Sequence, residues 1–233
     1  MIMVGSASEP YPKEEEETLL MRRSLEVIDR MEFGVSLRTK SLRMLRDLDI
    51  LESIQRKTRC VVEVMLTTAD EALAARLEPA ENTVGERLEL LRALRDAGIP
   101  TVVTLGPVLP YLTDSLENLE ALLGDCVEAR VYGVIQNGFG VTLRAGSSAY
   151  FFSCLRELDP ELPEKYEALL PPGKPRKAGM FLSPNAAALA DFFQKSTAAC
   201  RLVTDQEALF AYRHAFLDRR AGQQLSLFDL FET

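Results

Sequence analysis

Three short segments carry side chains that could grip a small polar ligand. "SASEPYP" (6–12) holds Ser8, Glu9 and Pro10, "TKS" (39–41) holds Lys40, and "TTAD" (67–70) holds Thr67 and Thr68. Hydroxyls both donate and accept hydrogen bonds, an ammonium pairs with a carboxylate, and prolines leave nearby carbonyls outside any ladder. Together these groups suit a ligand that bears amino, carboxylate and ribose functions. Blander readings stand beside this one. Ser8, Thr67 and Thr68 could cap backbone groups at strand ends. Lys40 could be a solvated surface lysine or, on a barrel of strands and helices, a Schiff-base lysine of an aldolase-like enzyme.

The elements around these segments must bring them together. "MIMVGSAS" reads as a buried strand feeding a loop, and "EEEETLLMRRSLEVIDRM" as one amphipathic helix with Leu19, Leu20, Leu25, Val27 and Ile28 on its apolar stripe. The stretch "KEEEE" at 13–17 reads as its solvated first turn. The unit then recurs: strand 33–40, helix 41–58 with Ser41 as N-cap, strand 60–68, helix 83–98 closed by Gly98, strand and loop 99–110, helix 113–129 and a last strand 130–140. Strands alternating with helices at this spacing predict βαβ units on a parallel sheet, with ligands gathered at the carboxyl ends of the strands. Five strands are visible, and all three segments fall at such ends.

Beyond Gly140 the alternation stops. Residues 147–159 and 162–170 read as helices, the Pro-, Gly- and Lys-rich stretch 171–179 as a surface linker that could touch phosphate, and 183–200 and 205–220 as two helices closing one end of the sheet.

Composition narrows the class. With 233 residues, 47% hydrophobic and 27% charged, the chain can bury a sizeable core. It shows no signal peptide and no run approaching the roughly 20 apolar residues of a membrane helix, so a cytoplasmic protein is expected. A net charge of −8 argues against a broad sheath of phosphate contacts. Cys60, Cys126, Cys154 and Cys200 lie far apart, which predicts buried free thiols for most of them. His214 stands alone, and no metal ligand is assigned.

In this order, "GSASEPYP…E…R", "TKS…LRDLDIL", "TTAD…LEP…ERLE…L…AGI", "PVLPYLTD" and "FGVTLR" resemble the radical S-adenosylmethionine proteins of the spore photoproduct lyase-like group, also called DNA repair photolyase-like. "SPN…L…F…C" at 183–200 and the terminal "QLSLF" extend the resemblance over nearly the whole chain. It implies a partial (β/α) TIM-like barrel of parallel strands over 1–145, a C-terminal helical extension over 146–220 and an exposed tail over 221–233. It also implies S-adenosylmethionine and a [4Fe–4S] cluster as cofactors. In the family, cysteines spaced C-x3-C-x2-C hold the cluster, whose irons favour thiolates.

No such triplet occurs in this chain. Its first strand corresponds to the family's second, which would place the cluster loop upstream of Met1. A shortened chain is the expectation, because the residues toward S-adenosylmethionine remain; a derivative that has lost redox chemistry is the alternative. By resemblance, Ser8, Glu9 and Pro10 receive the methionyl amine, Lys40 holds the methionyl carboxylate, and Thr67 and Thr68 lie near the ribose. Ser6 stands where spore photoproduct lyases carry a hydrogen-donating cysteine, so repair of spore photoproduct itself is not expected.

The ending is unusual for a terminus. Gln224, Leu225, Leu227 and Phe228 resemble the short peptide by which bacterial repair and replication proteins dock onto the sliding clamp, with Leu227 and Phe228 entering an apolar pocket. Two functions therefore stand open: a radical enzyme acting on DNA or another large substrate, or a non-catalytic clamp-binding adaptor that kept the barrel.

Overall fold

The computed structural model describes residues 1–143, 146–170 and 179–214. In chain order its elements are β1 (Ile2–Val4), α1 (Glu15–Thr18), α2 (Leu20–Arg30), β2 (Val35–Thr39), a 3-10 turn (Leu42–Asp47), α3 (Leu48–Lys57), β3 (Cys60–Leu66), α4 (Glu71–Leu77), α5 (Val84–Asp96), β4 (Thr101–Leu105), α6 (Leu116–Glu128), β5 (Gly133–Gln136), β6 (Gly140–Leu143), α7 (Ser148–Leu158), α8 (Leu162–Ala168), β7 (Gly179–Leu182), α9 (Ala186–Cys200) and α10 (Gln206–His214).

The first five strands form one parallel sheet in sequential order, β1-β2-β3-β4-β5, as expected for a partial TIM-like barrel. One face, with Leu37, Val62, Val64, Val103 and Val134, packs on Leu25, Ile54, Leu90 and Leu122 of the flanking helices. The other face carries polar groups toward its carboxyl half: Arg38 on β2 pairs with the buried Glu63 on β3 at 2.9 Å, and Thr104 on β4 donates to the same carboxylate oxygen at 2.6 Å. Strand alternation puts Arg38, Glu63 and Thr104 on the same face as Val61 and Val102, opposite the main core.

Several boundaries differ from the sequence reading. The expected first helix breaks at Leu19, which sits at φ 50°, so Met21, Leu25 and Ile28 form the buried stripe while Leu19, Leu20 and Val27 are exposed. The acids at 14–17 are not all solvated. Glu15 is buried, because its carboxylate accepts from the Leu20 and Met21 N–H groups and from Arg46, all at 2.9–3.0 Å. It thereby serves the orphan donors of α2. Ser41 does cap, accepting from the Arg43 N–H, but the helix it opens starts as a 3-10 turn.

Thr83 and Glu86 close a capping box on α5, α4 is an element absent from the sequence expectation, and the expected last strand 130–140 is shorter, β5 ending at Gln136. A further strand, β6, follows at the point where the alternation was expected to stop and pairs antiparallel with β7, which begins at Gly179, the end of the stretch read as linker. Residues 171–178, the tail at 221–233 and with it Gln224, Leu225, Leu227 and Phe228 lie outside the described residues.

Of the two last helices only α10 closes the amino-terminal end of the sheet; α9 packs along α6, with Leu189 in the main core. Val203 forms a parallel bridge beside Gly133, and Leu209 of α10 packs on Val61 and Val102. Of the cysteines, Cys60 and Cys126 are buried, Cys154 is half-buried and Cys200 is exposed.

Candidate functional site

The carboxyl edge of the sheet carries two clefts. The smaller, of about 250 Å³, is lined by Gly5, Ser8, Glu9, Arg38, Lys40 and Glu81, among others. Two acids and two bases face it, which balances its charge and matches a zwitterionic ligand. The larger, of about 600 Å³, lies between α4, the loop after β4 and α7, and is bordered by Thr67, Glu78, Pro107, Tyr150 and Cys154. Its size is ordinary for a small-molecule site.

The loop that forms the small cleft is tightly held. Gly5 sits at φ +84°, and a Cβ there would lie 2.0 Å from the Arg38 carbonyl oxygen, so only glycine lets β1 turn against β2. Glu9 reaches across to the next strand: its carboxylate accepts from the Tyr11 N–H at 3.0 Å, the Thr39 hydroxyl at 2.5 Å and the Lys40 N–H at 3.0 Å. Buried Tyr11 donates its hydroxyl to the buried Asp47 at 3.1 Å, and burial, then Asp47, pushes its own ionisation up.

Lys40 is not a solvated surface lysine. Its ammonium pairs with Glu78, whose other oxygen accepts from the buried Arg87 at 2.8 Å. Burial pushes the Glu78 carboxyl up, but Lys40 and Arg87 outweigh burial and hold it below the ordinary carboxylate range.

The six anticipated residues are thus distributed unequally. Ser8, Glu9 and Lys40 meet in the small cleft, with Glu9's carboxylate bound to the loop's own donors. Pro10 does not line the cleft; its Cδ lies beside Gly5, 3.2 Å from where a Cβ would stand. Thr67 and Thr68 separate by role. Thr68 donates to Asn118 at 3.0 Å and accepts from the Asp70 N–H at 3.1 Å, the capping role of the bland reading. The Thr67 hydroxyl is buried without a hydrogen-bond partner among the described residues and borders the larger cleft.

Glu78, Arg87 and Gln136 were not anticipated. The Gln136 amide nitrogen, at the end of β5, is likewise buried without a partner among the described residues. A lone Gln or Glu after a strand or helix gives no spacing signal, so these roles emerge from the fold.

S-Adenosylmethionine fits this edge, on the charge-balanced cleft and the orphaned Thr67 hydroxyl beside it. An iron–sulfur cluster does not fit the chain's cysteines. Cys60 and Cys126 are enclosed in the core, where burial pushes their thiols up to about 12, and no three His, Cys, Asp or Glu residues group as metal ligands among the described residues.

Comparison with known proteins shows the superfamily and the fold. Residues 1–123, more than half of the chain, match the radical SAM superfamily, and the chain belongs to it. An uncharacterized protein of Mycobacterium tuberculosis is 32% identical over 184 residues, covering 79% of this chain and 52% of its own length. An uncharacterized protein of the Acidianus two-tailed virus is 25% identical over 181 residues, covering 73% of this chain and 58% of its own. The chain thus spans about half the length of these relatives. A spore photoproduct lyase structure superposes with a TM-score of 0.53 at 14% identity, over 79% of this chain and 54% of that one. The superfamily and the fold implied by the sequence are both borne out. In the described residues no helix is long and apolar enough to cross a membrane.

Proposed function

We propose that this chain holds S-adenosylmethionine at the carboxyl edge of its sheet as part of a radical enzyme whose substrate is a nucleic acid. The observation that carries the reading is the convergence of Ser8, Glu9 and Lys40, from two successive strand ends, on one charge-balanced cleft. Bound there, S-adenosylmethionine would supply the adenosyl radical chemistry of the superfamily. The chain's own residues do the holding. Lys40 receives the methionyl carboxylate, Ser8 and the carbonyls of its loop take the amine, and Thr67 offers its free hydroxyl to the ribose. Glu9 keeps the loop in register through the three bonds already described. The nucleic-acid substrate is supported by likeness of fold to spore photoproduct lyase, one structure of which is complexed with dinucleoside spore photoproduct.

Calorimetric titration of the chain with S-adenosylmethionine tests the reading. Lys40→Met should weaken binding about tenfold, the worth of a partly shielded charge-assisted contact. Binding indifferent to Lys40 would remove it.

A second reading is favoured by the cysteines, since two of the four are locked in the core and none stand together. On it, the chain is an adaptor that kept the fold and docks on a bacterial sliding clamp through Gln224, Leu225, Leu227 and Phe228. Such docking would keep an acidic protein at DNA without a basic surface of its own. Fluorescence polarisation of a labelled 221–233 peptide with a clamp should saturate and be lost in the Leu227→Ala, Phe228→Ala double variant; unsaturable binding would discard this reading.

A further inference from the structure

The two clefts share a wall, and one ion pair stands in it. Lys40 lines the smaller cleft, Glu78 borders the larger, and their side chains meet between them. Both are mostly shielded, with side-chain exposures of 21% and 17%. The pair is asymmetric in what holds each member. Glu78 has a second partner that cannot move: Arg87 is 3% exposed and is fixed by donating to the Asn82 carbonyl at 3.0 Å and the Met65 carbonyl at 3.2 Å. Lys40 has its backbone pinned by Glu9, but its ammonium rides on a flexible four-carbon stem.

We infer that Glu78 is a positioning residue that holds the Lys40 ammonium in place of a ligand carboxylate, which must exchange with Glu78 to bind. This rests on the reading that Lys40 receives the methionyl carboxylate. The exchange is cheap for the protein because Glu78 stays neutralised by Arg87 when Lys40 turns away, so no shielded charge is left alone. It concerns only ligands that bring an anion. A ligand that brings its own anion regains a partner for Lys40, whereas one lacking a carboxylate leaves the pair closed and gains nothing from it. Glu78 therefore taxes every carboxylate ligand by the strength of the pair it breaks.

The test titrates the full chain with S-adenosylmethionine and with 5′-methylthioadenosine, which keeps the adenosine and the S-methyl group, has a neutral thioether in place of the sulfonium, and lacks the amino-acid end. Glu78→Gln should tighten S-adenosylmethionine about fivefold, the measure of a partly screened ion pair, and leave methylthioadenosine within about twofold. Gln keeps an oxygen for Arg87, and an unchanged affinity for methylthioadenosine reports that the cleft is intact. In the Lys40→Met background, Glu78→Gln should have no further effect on S-adenosylmethionine, since the interaction acts only through Lys40. If Lys40→Met weakens S-adenosylmethionine but Glu78→Gln does not tighten it, the exchange is overturned while the binding reading stands. The exchange is equally overturned if Glu78→Gln shifts both ligands alike. Indifference of S-adenosylmethionine to Lys40→Met, or no binding by the wild-type chain, overturns both.

Discussion

Glu15 shows how much one side chain decides. It sits in a run of four glutamates, yet it alone of the four is buried, gripped by Arg46, two backbone N–H groups and the Thr18 hydroxyl. Burial pushes its carboxyl up, but Arg46, the Met21 N–H and Thr18 together hold it below its ordinary 4.5. A carboxyl whose folded value is depressed contributes stability that is fully present above the ordinary value and is lost as pH falls through the folded one. Glu15→Gln should therefore cost about 1.5–3 kcal/mol near neutrality, the worth of hydrogen bonds to a charged group. The gap to wild type should narrow as pH falls below the ordinary 4.5 and close only below the depressed folded value, where wild-type Glu15 is protonated as well. Urea unfolding of both proteins across that range checks it; a gap of constant size would show that the charge of Glu15 is irrelevant.

At the scale of elements, the parallel sheet was legible because its signal is local. Each strand from β2 to β4 is a short β-branched run, and each following helix carries its own apolar face, so neither needs distant residues to be recognised. What was illegible depends on partners far along the chain. Whether Thr67 or Thr68 is spent on structure is decided by Asn118, some 50 positions later. Which glutamate turns inward is decided by Arg46. The β6–β7 pair joins Gly140–Leu143 to Gly179–Leu182 across two helices, and four-residue strands rich in glycine resemble loops when read alone. In the candidate site, the strand-end positions of Ser8, Glu9 and Lys40 followed from the βαβ pattern. Glu78 could not be seen, because its part comes from where the turn after α4 sets it down beside Lys40.

Over the whole molecule, the two ends of the sheet do different work. The carboxyl edge holds clefts, orphaned polar groups and pre-paired charges, while the amino-terminal end is sealed by packing: Leu209 is 2% exposed against Val61 and Val102, and a Cβ on Gly133 would come within 2.5 Å of the Val203 carbonyl and 2.7 Å of a Leu209 methyl. Leu189 of α9 joins the main core, so the last helices are bound to the sheet by apolar contact on both faces. Leu209→Ala should lower unfolding free energy by about 2–5 kcal/mol, the cost of a buried leucine truncated beside rigid neighbours. If α9 and α10 share one cooperative unit with the sheet, far-UV circular dichroism and tyrosine fluorescence will move together to lower urea, in a single transition. Because Leu209 lies a strand's length from Lys40, S-adenosylmethionine affinity should be unchanged under folding conditions. Two separated transitions would mean that the C-terminal helices melt on their own, and a lost affinity would mean that the plug and the cleft are mechanically linked.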